Sequence, residues 1–349
     1  MTTRTIAIHH VTAALRGARR RGLAVDPLLT AAGIAPVLLA QPRARVTADQ
    51  FARLVKGLWN ALDDEFLGFG ADRSRRGTFA TMGLLAVHSP DLRTALQRAA
   101  SFYALFADTD ADTDPLRLEV VGDTARFAAR LSMVDDPDHF LTESVLVIAH
   151  RFANWLVRTR IPLLLAEFDY PQPAHRAEYD LIFGCPQEFG APRTAVSFAA
   201  AHLDRPVLQD EASLAGFLHR SPADLLARRD YDRTVGARVH TLLARAVRAG
   251  AASPSGPGLP GLDEVAARLS VSPQTLRRQL REEGAAFSRI KDQVRRDAAV
   301  AALVAGRESI EELALRLGFS EASAFHRAFR RWTGASPGSY RAASAPVPR

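Results

Sequence analysis

The stretch 309–341 constrains this chain more than any other. Ser309 and Glu312 have the spacing of a capping box, in which each side chain satisfies a backbone N–H of the opposite residue. Ile310, Leu313, Ala314 and Leu317 follow at helical spacing, and Gly318 then supplies the positive φ of a tight turn. Phe319 fills the turn, Ser320 is placed to cap a second helix, and Phe325 and Phe329 face inward four residues apart. Ala314 lies where two short helices cross, and a larger side chain there would push them apart. The pattern is a helix-turn-helix unit. It leaves Ala322, Ser323, His326 and Arg327 facing outward on a basic helix of the kind that enters a DNA major groove. Arg330, Arg331 and Arg341 suit phosphates.

The same plan occurs once before, in residues 262–284. Leu262, Val265, Ala266 and Leu269 form the stripe of the first helix, and Ala266 takes the crossing position. Ser272 caps the second helix, with Pro273 at the first helical position, where no N–H is needed. Leu276 and Leu280 face inward. Gln274, Arg277 and Arg278 are placed to meet bases, and Arg281 to meet phosphate. Between the units, residues 287–305 fit one helix, with Ile290, Val294, Ala298, Ala301 and Ala302 as its packing surface. A rigid connector sets the spacing of two reading helices on one chain, and DNA bending helps both to fit.

Charge agrees with this reading without proving it. The 349 residues carry a formal net charge of +7, and the sequence pI is about 10.2. Residues 259–349 hold 15 Lys/Arg against 10 Asp/Glu, nearly all of the cations being Arg, whose planar fork matches phosphate and guanine. Arginine abundance throughout the chain is equally compatible with coding bias. The single Cys185 excludes an internal disulfide or a cysteine zinc site and is best read as an inert thiol. No secretory leader or membrane-length apolar run is legible, so a cytoplasmic location is expected.

The N-terminal part alternates helical and strand periods. Residues 8–20 read as one helix, Asp26 caps another that ends at Gly33, Thr47 precedes a third, and Asp91 precedes a fourth. Residues 116–120 and 125–131 alternate around Val121-Gly-Asp-Thr and predict a β-hairpin. Residues 140–156 predict a long apolar helix, 163–170 a strand, 176–182 a short helix and 194–198 a last strand. That order predicts an α+β sensor domain followed by an all-α tandem helix-turn-helix domain. The expected boundaries are 8–208 for effector binding and dimerisation, 209–248 for a helical connector, 249–261 for a flexible linker, 262–341 for DNA binding and 342–349 for a disordered tail.

No catalytic or metal motif emerges. The histidines form no His-Glu-x-x-His pair, no Gly-x-Ser-x-Gly elbow is present, and the acidic run from Asp108 lacks the glycine and terminal Glu of a calcium loop. No enzyme activity, cofactor or metal is expected. An apolar effector pocket is expected instead, with Met82, Phe102, Tyr103 and Phe106 in its wall and His88 and His150 as polar anchors. Ordinary core is the competing reading for each of these six.

Residues 262–341 resemble the AraC/XylS family of bacterial transcription regulators, most closely in Ile310-Glu-Glu-Leu-Ala, Leu317-Gly-Phe-Ser and the run from Phe325 to Arg341. The resemblance implies base contacts from Gln274, Arg277, Arg278, Ser323, His326 and Arg327. Ala322 is too small to bond a base edge, which puts more of the specificity on the first reading helix. The segments 168–175, 183–191 and 203–206 resemble the N-terminal domain of a subgroup without a sugar-binding cupin, which includes ornithine- and arginine-responsive regulators. That implies double-stranded promoter DNA, an unidentified small-molecule effector, RNA polymerase and a second copy of the chain as partners, and no membrane. A regulator without an effector, whose N-terminal part only dimerises, stays open.

Overall fold

The computed structural model describes residues 5–71, 73–106, 114–131, 135–222, 235–249 and 259–344. In chain order its elements are β1 (Thr5–Ala7), α1 (Ile8–Ala14), α2 (Arg16–Arg20), α3 (Asp26–Ala32), β2 (Arg45–Thr47), α4 (Ala48–Leu62), α5 (Thr78–Val87), α6 (Leu92–Ala104), β3 (Leu116–Val121), β4 (Thr124–Ala129) and α7 (Phe140–Leu156). These are followed by β5 (Leu163–Phe168), α8 (Ala177–Ile182), β6 (Gln187–Phe189), β7 (Ala195–Ala199), α9 (Glu211–Arg220), α10 (Val235–Ala249), α11 (Leu262–Arg268), α12 (Pro273–Glu282), α13 (Phe287–Ala305), α14 (Ile310–Arg316), α15 (Ala322–Thr333) and α16 (Pro337–Ser344). The sequence-based residues 108–113 of the acidic run, a helix near 223 and most of the linker fall outside the described residues.

The chain forms two compact units. One contains Ala13–Val25 and Val55–Leu225, and the other contains Met1–Thr12, Asp26–Leu54 and Leu226–Arg349. This division differs from the boundary expected near 208, because residues 26–54 and the first strand group with the tandem helix-turn-helix segment.

The first unit is built on a five-stranded sheet of order β3-β4-β7-β5-β6, antiparallel except for the β5–β6 pair. The hairpin lies in the expected register, with Leu116 opposite Ala129 and Val121 opposite Thr124, and Gly122 takes φ 57° at the turn. Along β4 the alternation is clean. Ala125, Phe127 and Ala129 are buried and pack with Val196, Phe198 and Leu146 in one core. The α6 helix starts at its Asp91 cap, whose side chain accepts the Thr94 N–H at 2.8 Å. Residues 8–20 are not one helix: the chain enters as β1, and α1 ends at Ala14 before α2 begins at Arg16.

One loop of this unit is organised by a single buried carboxylate. Asp64 is fully buried, and it accepts N–H groups from Phe66 at 2.9 Å, Gly68 at 2.9 Å and Ser74 at 3.0 Å. Arg21 approaches it to 3.5 Å. The bonds to Phe66 and Ser74 draw the 64–74 loop closed and fix the approaches to Glu65 and Arg76 on either side of it.

The second unit holds the tandem helices around α13. Ser272 caps α12 through the Thr275 N–H at 3.1 Å, with Pro273 at its first position. Ser309 and Glu312 form the expected capping box, their bonds measuring 2.7 and 3.0 Å. Ser320 does not cap α15. The N-cap residue is Glu321, which makes no side-chain cap bond, because the helix starts one residue later than expected. Gly318 has φ 78°, and the equivalent turn of the first helix-turn-helix puts Ser270 at φ 58°. Residues 342–344 continue α16 and do not open a tail, while 345–349 lie outside the described residues.

A two-stranded ribbon belongs to this helical unit. β1 and β2 pair antiparallel from Thr5 opposite Thr47 to Ala7 opposite Arg45, and both strands pack on α13. A polar network ties the ribbon down. Thr5 Oγ1 donates to Asp297 Oδ1 at 2.6 Å, Arg45 Nε donates to Thr5 Oγ1 at 2.7 Å, and the Tyr340 hydroxyl donates to the Arg45 carbonyl. Thr5, Arg45, Asp297 and Tyr340 are all buried. Buried polar groups need such partners, so the ribbon satisfies groups that α13 and α16 would otherwise strand.

Candidate functional site

Two sites stand out: an outward helical face in the helical unit and a cavity in the sheet unit. On α12, Leu276 and Leu280 are buried, which leaves Gln274, Arg277, Arg278 and Arg281 exposed on the other face. Arg278 pairs with Glu282 one turn on, at 2.9 Å with both side chains largely exposed, a pair worth little in water. Gln274, Arg277 and Arg281 form no ion pair or hydrogen bond among the described residues.

On α15, Phe325 and Phe329 are fully buried with ring centroids 5.7 Å apart, which turns Ser323, His326, Arg327 and Arg330 outward. Ser323 Oγ donates to Glu321 at 2.9 Å. Arg331 stands 3.6 Å from Asp292 and is largely exposed. Arg341 is placed differently from a free phosphate ligand. It is half-buried, and its Nη2 donates to the Glu308 carbonyl at 2.8 Å. The reason is its position in α16, which packs beneath the second unit.

Several cations counted in the sequence are used internally. Arg295 Nε donates to the Leu317 carbonyl at 3.0 Å, and its guanidinium lies 4.8 Å from the Phe319 ring centre. Lys291 donates to the carbonyls of Leu259 and Pro260, and burial lowers its pKa below the usual lysine value. Arg316 pairs with Glu308. At the other end, Glu283 accepts the Val235 and Gly236 N–H groups at 2.8 Å each, so its negative charge sits at the start of α10. Arg316 also reaches the Val247 carbonyl near the end of α10, at 3.5 Å. The α10 helix therefore spans from the first helix-turn-helix to the second, a brace that the sequence shows only as a helical pattern.

The cavity in the sheet unit has a volume of about 580 Å³. One wall is the stripe Leu141, Val145, Ile148, Ala149 and Phe152 of α7, and α6 contributes Leu96, Ala99 and Tyr103. Phe79 and Met82 come from α5, and the sheet closes it with Leu116 and Phe127. Its polar rim is Trp59, Glu65 and Arg76. Aromatic contacts stiffen it: Phe79 and Phe152 meet edge-on at 5.3 Å, and Phe66 stacks on Tyr103 at 6.2 Å. Glu65 accepts N–H groups from Gly77 and Phe79 at 2.8 Å each, and burial raises its pKa.

Of the six residues expected in the pocket, Met82 and Tyr103 line it. The other four do not. His88 is exposed at the end of α5 and bonds Glu211 at 2.8 Å, and His150 bonds the Ile161 carbonyl at 2.8 Å. Phe102 turns toward Phe106, 5.3 Å away, and Phe106 is 58% exposed. Spacing alone did not separate the face of α6 that carries Tyr103 from the one that carries Phe102. Glu65 and Arg76 were missed because both lie in irregular chain, where no period marks a facing side. Among the described residues no group of three or more His, Cys, Asp or Glu is arranged to hold a metal, and no helix is long and apolar enough to cross a membrane.

Residues 22–207 match the model of the arabinose-binding domain of AraC transcription regulators, N-terminal, and residues 265–343 match a helix-turn-helix domain. The chain is similar to the ornithine utilization regulator of Pseudomonas aeruginosa, at 28% identity over 98% of each chain. It is also similar to an uncharacterized HTH-type transcriptional regulator of Mycobacterium tuberculosis, at 27% identity over 93% of this chain and 92% of the other. Among solved structures, the transcriptional regulator CdpR from Pseudomonas aeruginosa is 25% identical over 77% of this chain and 83% of its own, with a TM-score of 0.29.

Proposed function

Because this chain belongs to the AraC family of transcription regulators, as the match over residues 22–207 shows, we propose that α12 and α15 read promoter DNA and that a small molecule in the sheet-unit cavity controls the reading. The observation that carries the DNA half is the sorting of the cations. Arg295, Arg316 and Lys291 are turned into the fold, whereas Gln274, Arg277, His326 and Arg327 stand exposed on the two helices that follow the turns. Those side chains suit base edges, and Arg281, Arg330 and Arg331 suit phosphates. Arg341 is assigned a smaller part, since its Nη2 holds the Glu308 carbonyl.

The mechanism is a population shift. The effector stabilises one arrangement of DNA-reading units, in a homodimer that acts with RNA polymerase. One relative is named for ornithine utilization, so ornithine belongs among the probes of the cavity. The cavity favours an effector-controlled regulator over one whose N-terminal part only dimerises.

The test is selection of genomic fragments by the purified full chain, followed by footprinting at moderate salt with random competitor DNA. A protected, sequence-defined site is expected. Equal retention of every duplex overturns the DNA assignment. A cavity that takes no small molecule overturns the effector assignment.

A further inference from the structure

The chemical class of the effector follows from which polar groups at the cavity remain unused, an inference that rests on the cavity being the effector site. The one carboxylate on the rim is engaged: each oxygen of Glu65 accepts a backbone N–H, from Gly77 and from Phe79, at the start of α5. Trp59 donates its indole N–H to the Glu65 carbonyl at 3.1 Å. What remains are donors. The Arg76 guanidinium is exposed at the rim and makes no hydrogen bond or ion pair among the described residues. The Tyr103 hydroxyl has no hydrogen-bond partner among them either, and burial pushes its pKa up, so it stays a donor at any working pH.

Behind this rim the lining is hydrocarbon. Leu116, Phe127, Leu141, Val145, Ile148 and Phe152 surround the space, and Glu65 and Arg76 are the charged side chains of the lining. A diamino acid would have to bring an ammonium against this wall, where the one carboxylate, Glu65, already holds two backbone N–H groups and stands beside Arg76, which repels a cation, and a poorly paired buried charge is among the costliest groups a site can hold. An acid at the rim meets the opposite situation, since Arg76 offers a planar fork of N–H donors that makes no hydrogen bond among the described residues, although it feels the charge of Glu65. At about 580 Å³ the space is within the range of sites that enclose a ligand of drug size.

We propose that the effector is an amphipathic monocarboxylate, its acid group held by Arg76 at the rim and its hydrocarbon body filling the cavity between α5, α6 and α7. Tyr103 donates to a polar atom near the acid end. Ornithine and other cationic amino acids are not ligands of this cavity, although a relative is named for ornithine utilization.

The test uses the full chain and four probes below their micellar concentrations: dodecanoate, dodecanol, dodecyltrimethylammonium and L-ornithine. The readouts are tryptophan fluorescence, to which Trp59 on the rim contributes, and the thermal midpoint. Dodecanoate is expected to bind saturably and to raise the midpoint. Arg76→Gln, at an exposed position, is expected to weaken dodecanoate at least tenfold and to leave dodecanol unchanged. Ala149→Phe, which fills the cavity, is expected to weaken both. Equal binding of dodecanol and dodecanoate with no effect of Arg76→Gln overturns the acid assignment and leaves the site standing. Preferred binding of ornithine or the cationic amphiphile, blocked by Ala149→Phe, overturns the class and likewise leaves the site standing. If no probe binds and Arg76→Gln and Ala149→Phe both behave as the parent, the class and the site fall together.

Discussion

At the scale of single residues, two positions in the sheet unit carry more than their neighbours. Gly17 in α2 lies so close to the following loop that a Cβ there would stand 2.0 Å from the Leu67 carbonyl oxygen and 3.0 Å from the Gly68 carbonyl carbon. Backbone cannot swing aside as a flexible side chain can. Gly17→Ala is therefore expected to cost about 3 kcal/mol or more, at the upper end for overpacking, and an unchanged denaturation midpoint would contradict the contact. Glu143 is buried, and its Oε1 accepts both the Tyr170 and Tyr179 hydroxyls. Burial raises its pKa from 4.5 to about 7. Below pH 4.5 the carboxyl is protonated in both folded and unfolded chains, and its contribution to stability is fully present. As pH rises from 4.5 to about 7 the unfolded chain ionises first, so stability falls, by roughly 3 kcal/mol in all, and stays low above that window. Glu143→Gln should flatten this part of the pH profile of urea unfolding. A parent profile that rises through the same window would show the sign to be wrong.

At the scale of elements, the two helix-turn-helix turns differ in one atom group with a measurable effect. Gly318 takes its left-handed φ freely, whereas Ser270 takes φ 58° with a Cβ, a conformation costing an L-residue about 1–2 kcal/mol. Ser270→Gly should recover up to about 1 kcal/mol, less the added freedom of glycine in the unfolded chain. A lowered thermal midpoint would show that Ser270 is held there by something better than its backbone cost. The two helices proposed to read DNA are expected to divide by role. Arg277→Ala on α12 should cost about 1–3 kcal/mol on the best operator and less on mismatched DNA. Arg330→Ala on α15 should weaken all duplexes alike and reduce the salt slope by about 0.9. The opposite pattern in binding titrations across salt would exchange the two assignments.

The elements also show what the sequence could reveal. The stripes of α7, α12 and α13 and the alternation of β3 and β4 were legible because each has a hydrophobic period longer than one turn or pleat. β1 and β2 have three residues each, too few to establish a period. The α5 helix, Thr-Phe-Ala-Thr-Met-Gly-Leu-Leu-Ala-Val, is apolar almost all round, so no face stands out, and its Leu84 and Leu85 are each 42% exposed. The α7 stripe announced burial but not its object: Leu146 goes to core, while Val145, Ile148 and Ala149 face open space. A donor such as Arg76 becomes legible only once the neighbouring Glu65 carboxylate is seen to hold two backbone N–H groups.

At the scale of the whole molecule, the helical unit depends on the beginning of the chain. Removing residues 1–7 takes away Thr5, which bonds both Asp297 and Arg45. Asp297 keeps its ion pair with Arg296, so the loss is that of hydrogen bonds to charged groups, about 1.5–3 kcal/mol each. The truncated protein is therefore expected to bind operator DNA weakly, with every reading side chain intact, and to show an earlier unfolding transition in calorimetry. Full affinity and an unchanged transition would show the ribbon to be dispensable.

The ribbon also sets a timetable. Thr5 and Asp297 are separated by 292 residues, so at roughly 5–20 residues per second the ribosome releases the first strand some 15–60 s before its seat on α13 exists. During that interval the strand can pair with β2 but has no helix to seat it. The helical unit gains its last ribbon contact only once Tyr340 has been made. A product that stops before Asp297 lacks both that seat and the second helix-turn-helix.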